Sequence, residues 1–391
     1  MASGITRRTN IEAAGRPTST LRRWRELVAP AALFCAALGL HALAGQNPEV
    51  VEHYYSRYFY LSVGREIAFV NKFFRFSLSE VLAVVVLGGL TGGLIWQARR
   101  LYLRRVKAPD LVFSCVRGAL WVAGAGVMLF LLVWGLNYQR QPLAQSLNLE
   151  PRAVSGDELE AISRTIVSEV NRNYEEGRDG RELGARGIVP LGRAELYEVI
   201  EASFRRQAPL LGEASGGGFG PPKPVYVSRL MSRFSISGMY SPFTGEPNYN
   251  AEQPASDLPF SIAHEMAHQR GYAREDDANF IAFLICINSS HPSVRYSGHL
   301  RSMSVLGVLA RFAPRRYNEV VASLAPGPLA DIQASSSFWV RPEGHFNRAT
   351  YGVTDAYLKI NGVNSGLKNY NEVVRLIISY YLTRPAEEPL P

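Results

Sequence analysis

Five consecutive residues, His264-Glu265-Met266-Ala267-His268, carry the clearest chemistry in the chain. H-E-x-x-H sets two imidazoles at i and i+4, one turn apart on a single helix face. That spacing lets two ring nitrogens reach one zinc ion, while Glu265 stands beside a metal-activated water as general base. The chemistry expected is hydrolysis of a peptide or related amide bond. A catalytic zinc also needs a third protein ligand and an open position. Glu275 is the expected ligand: it opens the run EDDANFIAFLICI, whose remainder is apolar, and a charge at the mouth of a buried helix needs a partner. Asp276 and Asp277 compete for the role, although carboxylates in a first turn also serve the helix dipole. Asn279, one turn on, is placed to hydrogen-bond a ligating imidazole or carboxylate. A third histidine in the H-x-x-G-x-x-H manner is excluded, because Arg274 occupies that position and cannot ligate. His41, His53, His291, His299 and His345 have no metal spacing.

The elements around the motif follow from short-range signals. Asp257 is suited to cap the motif helix, Pro259 to its first turn, and Gly271 to the turn that ends it. Phe260, Ile262, Met266 and Ala267 supply an apolar face. Helices are expected at about 260–270, 275–288, 297–311 and 370–382. The polar stretch 152–207 carries Leu159, Ile162, Ile166 and Val170 at helical spacing. Residues 212–224, rich in Gly and Pro, form a flexible connection, and PVYVSRL and RFSISGMY within 224–240 alternate as short strands do.

Most long apolar runs fall before residue 137, so a mean hydropathy of −0.04 with 19% charged residues reflects an uneven chain. Runs 27–45, 81–98 and 118–136 are each about long enough to cross a bilayer as helix. Ala42-Leu43-Ala44 resembles a signal cleavage site, but further spans follow, so the first is expected to be retained. Gly88-Gly89 and Gly92-Gly93 suit either close helix packing or the ordinary tolerance of glycine in membrane helices. Arg117 starts the third span, and Trp134 and Tyr138 suit its far interface. The Arg-rich tail 1–26 and RRLYLRRVK (99–107) belong in the cytoplasm by the positive-inside rule; the loop 46–80 is mixed in sign. Three spans within 27–138 then put a globular region, 139–391, outside. The net charge of +8 sits largely beside these spans and forms no basic helix or aromatic platform, which argues against nucleic-acid binding. Cys35, Cys115 and Cys286 suggest neither a disulfide framework nor a Cys-ligated zinc site.

SGMYSPFTGEPNYN, LPFSIAHEMAHQRGYAREDDANFIAFL and VRYSGHL, with WGLNYQRQPL and TDAYLKINGVNSGLKNYNEVVRLIISYYL, resemble the bacterial family of domain of unknown function 3810 over most of residues 27–383. The resemblance implies a multi-pass membrane protein with a C-terminal zincin-like core and no assigned substrate. E-x-x-A-N-x-x-A at Glu275–Ala282 is similar to the ligand helix of other Glu-liganded zinc peptidases, many with Asp where Asn279 stands. By analogy with zincins, the strand Ser235–Tyr240 lies beside the substrate backbone, and Tyr240, Arg295 and Tyr296 are candidate oxyanion or substrate contacts. The expected fold is mainly α, with N-terminal transmembrane helices and an α+β zincin-like domain carrying a small sheet. The expected function is a membrane-anchored zinc metallopeptidase of the cytoplasmic membrane, acting on a peptide or protein substrate in the cell envelope. The alternative is a zincin-like membrane sensor or scaffold that binds metal or peptide without turnover.

Overall fold

The chain is mainly helical. The computed structural model describes residues 19–149, 152–178, 191–212, 216–339 and 370–383; most of the basic tail, His345 and much of the C-terminal family block lie outside them. Among the described residues, three helices are long and apolar enough to cross a membrane: α1 (Ser19–Gly45) within Arg23–Gly45, α3 (Leu78–Tyr102) and α4 (Ala108–Val133). Further helices among the described residues, besides three short ones of six residues or fewer, are α2 (Tyr60–Asn71), α5 (Gly156–Gly177), α6 (Arg193–Leu211), α7 (Leu258–Gln269), α8 (Glu275–Ile287), α9 (Pro292–Ser302), α10 (Leu306–Phe312), α11 (Pro314–Ala322), α12 (Pro326–Trp339) and α13 (Tyr370–Thr383). The strands are β1 (Lys223–Pro224), β2 (Gly238–Ser241) and β3 (Glu246–Tyr249).

Two compact units divide the chain, one within Met1–Ala42 and Thr91–Leu131, the other within Leu43–Leu90 and Leu132–Pro391. In the first, α1 and α4 pack where Gly124 exposes backbone: a Cβ there would stand 3.0 Å from the Pro30 carbonyl oxygen. Close packing through glycine therefore occurs in the third apolar helix. Nothing lies within 4 Å of a Cβ built on Gly88, Gly89, Gly92 or Gly93. Arg117 does not begin the third helix; it lies within α4 and pairs with Glu26, as Arg23 pairs with Asp110.

The second unit departs from the expected boundary. The stretch between the first two apolar helices is not a bare loop but a π-helical segment, Val51–Phe59, running into α2. It folds onto the C-terminal part of the chain. Arg140 donates both Nε and Nη2 to the Glu52 carboxylate at 2.8 Å, and Nη1 to the Gly271 carbonyl at 2.9 Å. Trp134 is likewise not interfacial: it is 5% exposed, and its indole N–H reaches the His268 carbonyl at 3.3 Å. A buried indole needs an acceptor, and the end of a helix offers one. Tyr138 is buried as well.

The core joins α5, α7, α8, α9 and α13. Leu159, Ile162, Ile166 and Val170 all face it, as their spacing requires, and α5 begins with a capping box between Ser155 and Glu158. The sheet has the order β1-β3-β2, with β1 parallel and β2 antiparallel to β3. PVYVSRL is mostly not strand, since Ser228–Arg233 is a helical turn. The central strand, EPNY, has no alternation to reveal it. It is buried throughout, with Glu246 paired to Lys223 at 2.5 Å. The helix expected over 297–311 is interrupted by a 3-10 turn, Met303–Val305.

Candidate metal centre

α7 begins with Pro259 in its first turn, but Asp257 does not cap it by its side chain. The Asp257 carboxylate accepts instead from Ser335 and from the Trp339 indole N–H, at 2.6 and 2.7 Å. A neighbouring helix meets one of the free N–H groups: Phe260 N–H donates to Ser297 Oγ at 3.1 Å. At the other end Gly271, with φ of +86°, makes a Schellman turn. Tyr272 N–H donates to the Ala267 carbonyl and Gly271 N–H to that of His268. A side chain at Gly271 would be strained by φ and would also meet the Tyr60 ring at 2.8 Å.

This turn delivers the carbonyl that orients the His268 ring. His268 Nδ1 stands 2.7 Å from the Tyr272 carbonyl oxygen. A carbonyl only accepts, so Nδ1 carries the proton and the Nε2 lone pair points the other way. It points at His264 Nε2, 3.0 Å off, and at Glu275 Oε1, 3.5 Å off; His264 Nε2 is 3.3 Å from Glu275 Oε2. Three groups able to donate electron pairs thus converge, and a proton shared among them is one that a metal ion would displace. Atoms bound tetrahedrally at about 2.0–2.1 Å from a zinc stand about 3.3 Å apart, so the donor set and its spacing fit that ion. Among the described residues these three form the group able to hold a metal. The His264 and Glu275 side chains keep 13% and 42% of their exposure, so one side of the cluster is open.

Charge in the cluster follows from burial and mutual contact. Burial works against ionisation of Glu275, but the His264 and His268 rings beside it hold its carboxyl well below the usual range. Burial disfavours the charged His268 ring, and Glu275 overrides it, lifting the ring to about 9. Glu265 lies next to the group, is buried, and is pushed up to about 7, chiefly by burial and against the two imidazoles. It accepts from the Tyr240 backbone N–H, while Oε2 has no hydrogen-bond partner among the described residues.

Two features near Glu265 escaped the sequence reading. A Cβ on Gly238 would stand 2.6 Å from Glu265 Cγ and 2.8 Å from its carboxyl carbon, so the glycine is what lets β2 lie on this side chain. An isolated Gly in a strand pattern was the available signal. Tyr60, far away in sequence, bonds the Gln269 carbonyl at 2.9 Å and shares a 3.2 Å hydrogen bond with the Tyr240 hydroxyl; no local signal announces it. β2 is an edge strand beside the motif helix. Tyr240 itself points into this buried network rather than into the open side of the cluster.

The other candidates sit elsewhere in the packing. Asn279 donates to the Glu275 backbone carbonyl at 2.7 Å, not to a ligating atom. Arg295 bridges Asn173, Glu176 and the carbonyls of Ser289 and Ser290, and Tyr296 donates to Asp331 at 2.8 Å. Asp276 pairs with Arg274, and Asp277 accepts the Leu143 N–H at 3.2 Å. Both are thereby occupied away from the imidazoles.

Residues 55–378 match the family described as Protein of unknown function (DUF3810). No curated protein and no solved structure matches the chain.

Proposed function

Since the chain belongs to the DUF3810 family, whose description assigns no activity, we propose from the site itself that it is a membrane-anchored, zinc-dependent metallopeptidase. The observation that carries this reading is the convergence of His264, His268 and Glu275 at the spacing of a tetrahedral metal site, with Glu265 buried beside them. A zinc ion held by these three would supply Lewis acidity toward water and a substrate carbonyl. The protein's part is then clear for each group. Glu265 takes a proton from the attacking water on Oε2 and returns it to the leaving amine. Tyr272 fixes the His268 tautomer, and the β2 edge offers backbone groups to an extended peptide. A carboxyl held near neutrality by burial is matched to both proton transfers. A site that bound metal or peptide without turnover would have no use for a base buried beside the metal ligands.

The membrane reading is supported by the packing of the second unit. Tyr60 lies before α3 and α4, and His268 lies after them, yet the two regions are in contact. An even number of crossings must separate them, so α3 and α4 cross together or not at all. With both crossing, basic RRLYLRRVK lies on one side and the site on the other, which charge assigns to the cytoplasm and the envelope respectively. A re-entrant α3 beside a crossing α4 would pull Tyr60 and His268 apart.

The test compares the wild type with Glu265→Gln in one membrane preparation. Peptides released from envelope proteins should depend on Glu265, while both proteins hold zinc near one per chain. Identical peptide profiles would remove the peptidase reading. Alkaline phosphatase fused after residue 391 should be active, and fused near residue 105 inactive; the reverse pattern overturns the sidedness.

A further inference from the structure

The segment Lys72-Phe73-Phe74-Arg75-Phe76 is exposed throughout, although three of its five residues are phenylalanine. Phe73 alone is 68% exposed. Lys72 Nζ rests 4.0 Å from the centre of the exposed Phe69 ring. Aromatic rings alternating with cations, outside any core, are the composition of a surface that enters the headgroup region of an anionic bilayer. The chain directly before this unit's helices is apolar α1, and directly after the loop comes apolar α3, so the loop leads straight into a candidate span. A continuous helix cannot leave a bilayer far from its own first turn.

The same loop is tied on both sides to the sheet beside Glu265. Asn71, just before it, donates to the carbonyls of Thr244 and Gly245 at 3.0 Å, in the turn joining β2 to β3. Leu78 and Ser79, just after it, donate their N–H groups to buried Glu246 of β3 at 3.0 and 2.8 Å. Glu246 thus caps the start of α3 with a carboxylate, favourable for the dipole. A second grip lies one residue on, where Glu80 accepts from the backbone N–H groups of Tyr226 and Val227; Tyr226 is 97% exposed.

We propose that the aromatic–basic loop 72–76 lies in the lipid interface, and that the β2 edge therefore takes peptide segments close to the membrane surface, such as those leading out of a bilayer. The substrate half of this rests on the peptidase reading; the docking half rests on the helices crossing. Height is set by connection: Asn71 holds the β2–β3 turn, the first turn of α3 is bonded to Glu246 of β3, and β2 pairs with β3 next to Glu265. A lipid surface is favoured over a protein partner because the patch is continuous in the chain with an apolar helix.

The experiment uses the full chain in nanodiscs containing anionic lipid. With Cys35→Ser and Cys115→Ser removing the exposed thiols, a nitroxide is placed by Phe74→Cys or, as control, by Glu319→Cys on α11. The label at 74 should meet dissolved oxygen more than a water-soluble nickel complex, and the label at 319 the reverse. Equal behaviour at the two positions overturns the docking, and so does shielding of position 74 from both reagents, which would mean a protein cover. For the substrate, a fluorogenic decapeptide library is supplied either lipid-tethered or free. The triple variant F73S/F74S/F76S should lose about tenfold or more of its turnover on tethered peptide, through lost local concentration, and stay within about twofold on free peptide. Equal loss on both, or no loss, overturns the membrane-proximal substrate class. Cleavage of neither by the wild type would defeat the peptidase reading and the substrate class together, while the label still decides the docking.

Discussion

His268 and Arg270 stand two residues apart at the end of one helix, and their surroundings are opposites. Arg270 is fully buried, donates to Glu201 at 2.5 Å and stacks over the Phe204 ring at 3.9 Å. Arg140 repeats the pattern with Glu52 beneath the Tyr272 ring. In both places a buried cation meets a buried anion, which is how a fold tolerates charge away from water. At His268, by contrast, two imidazole nitrogens and a carboxylate face one another. Donor–acceptor pairs hold helices together. Here the shared protons are ones that a metal ion would displace on binding.

The contrast can be broken most severely at the ligands. The purified protein should hold zinc near one per chain, and His264→Ala and His268→Ala should each abolish it, read by metal analysis; full retention in both would sink the metal assignment. Glu275→Gln should weaken zinc more than the 10–100-fold typical of losing a mere supporting partner. Asp277→Asn should leave zinc in place, because Asp277 is engaged with Leu143. The opposite order would name Asp277 the ligand.

A subtler break leaves the metal and moves the base. Gly238→Ala puts a methyl group where the Glu265 side chain lies, and a displacement near 1 Å at a reacting group costs on the order of 10²-fold. The variant should keep its zinc and lose turnover by about that factor. Unchanged kcat would show that β2 does not position Glu265.

The paired charges should respond in stability instead. Arg270→Met strands buried Glu201 and should destabilise the protein by about 3–5 kcal/mol, seen as a lowered denaturation midpoint, with normal zinc in the folded fraction. Adding Glu201→Leu should recover most of that loss, since an apolar pair of similar volume is often neutral or better. If the double variant stays as unstable as the single one, the pair does more than balance charge.

The smallest effect belongs to His299, a buried ring between these classes. Among the described residues neither ring nitrogen has a hydrogen-bond partner, and the Glu169 carboxylate is 3.7 Å away, too far to bond. Burial, aided by Arg172 and Arg295, pushes it down to about 3. A folded value below the unfolded one, about 6.5, means that the neutral ring favours the fold above that pH. The contribution is lost as pH falls from about 6.5 toward 3, where the unfolded chain binds the extra proton. The denaturation midpoint of the wild type should therefore fall more steeply between pH 6.5 and 5 than that of His299→Gln. Parallel curves would remove His299 from the acid response.

Parts of this were legible without coordinates because they depend on neighbours in the chain. The spacing of His264 and His268, the turn at Gly271, the buried stripe of α5 and the three apolar helices all follow from periods of a few residues. Glu275 was legible for a related reason: a charge opening an apolar helix needs a partner, and the imidazoles lie one short turn away. β3 was not legible, since Glu246, Pro247 and Asn248 carry no strand signal and are buried for reasons of long-range bonding. Asp257 shows the limit of a local rule, for its side chain had a cap to make and went to Ser335 and Trp339 instead.

What the sequence determined by itself was which side chains able to hold a metal stand at short spacing, and the sites of apolar helix, both set by residue type over a few positions. Tertiary structure decided which polar groups are spoken for. It turned Arg295, Tyr296 and Asn279 toward structural bonds, and brought Tyr60 and Trp134 from opposite sides of two apolar helices onto the last turn of the motif helix. It also laid Gly238 against Glu265. Such pairings join residues tens to hundreds of positions apart. Their energies depend on burial and on the absence of competing water, quantities that no local pattern of residues contains.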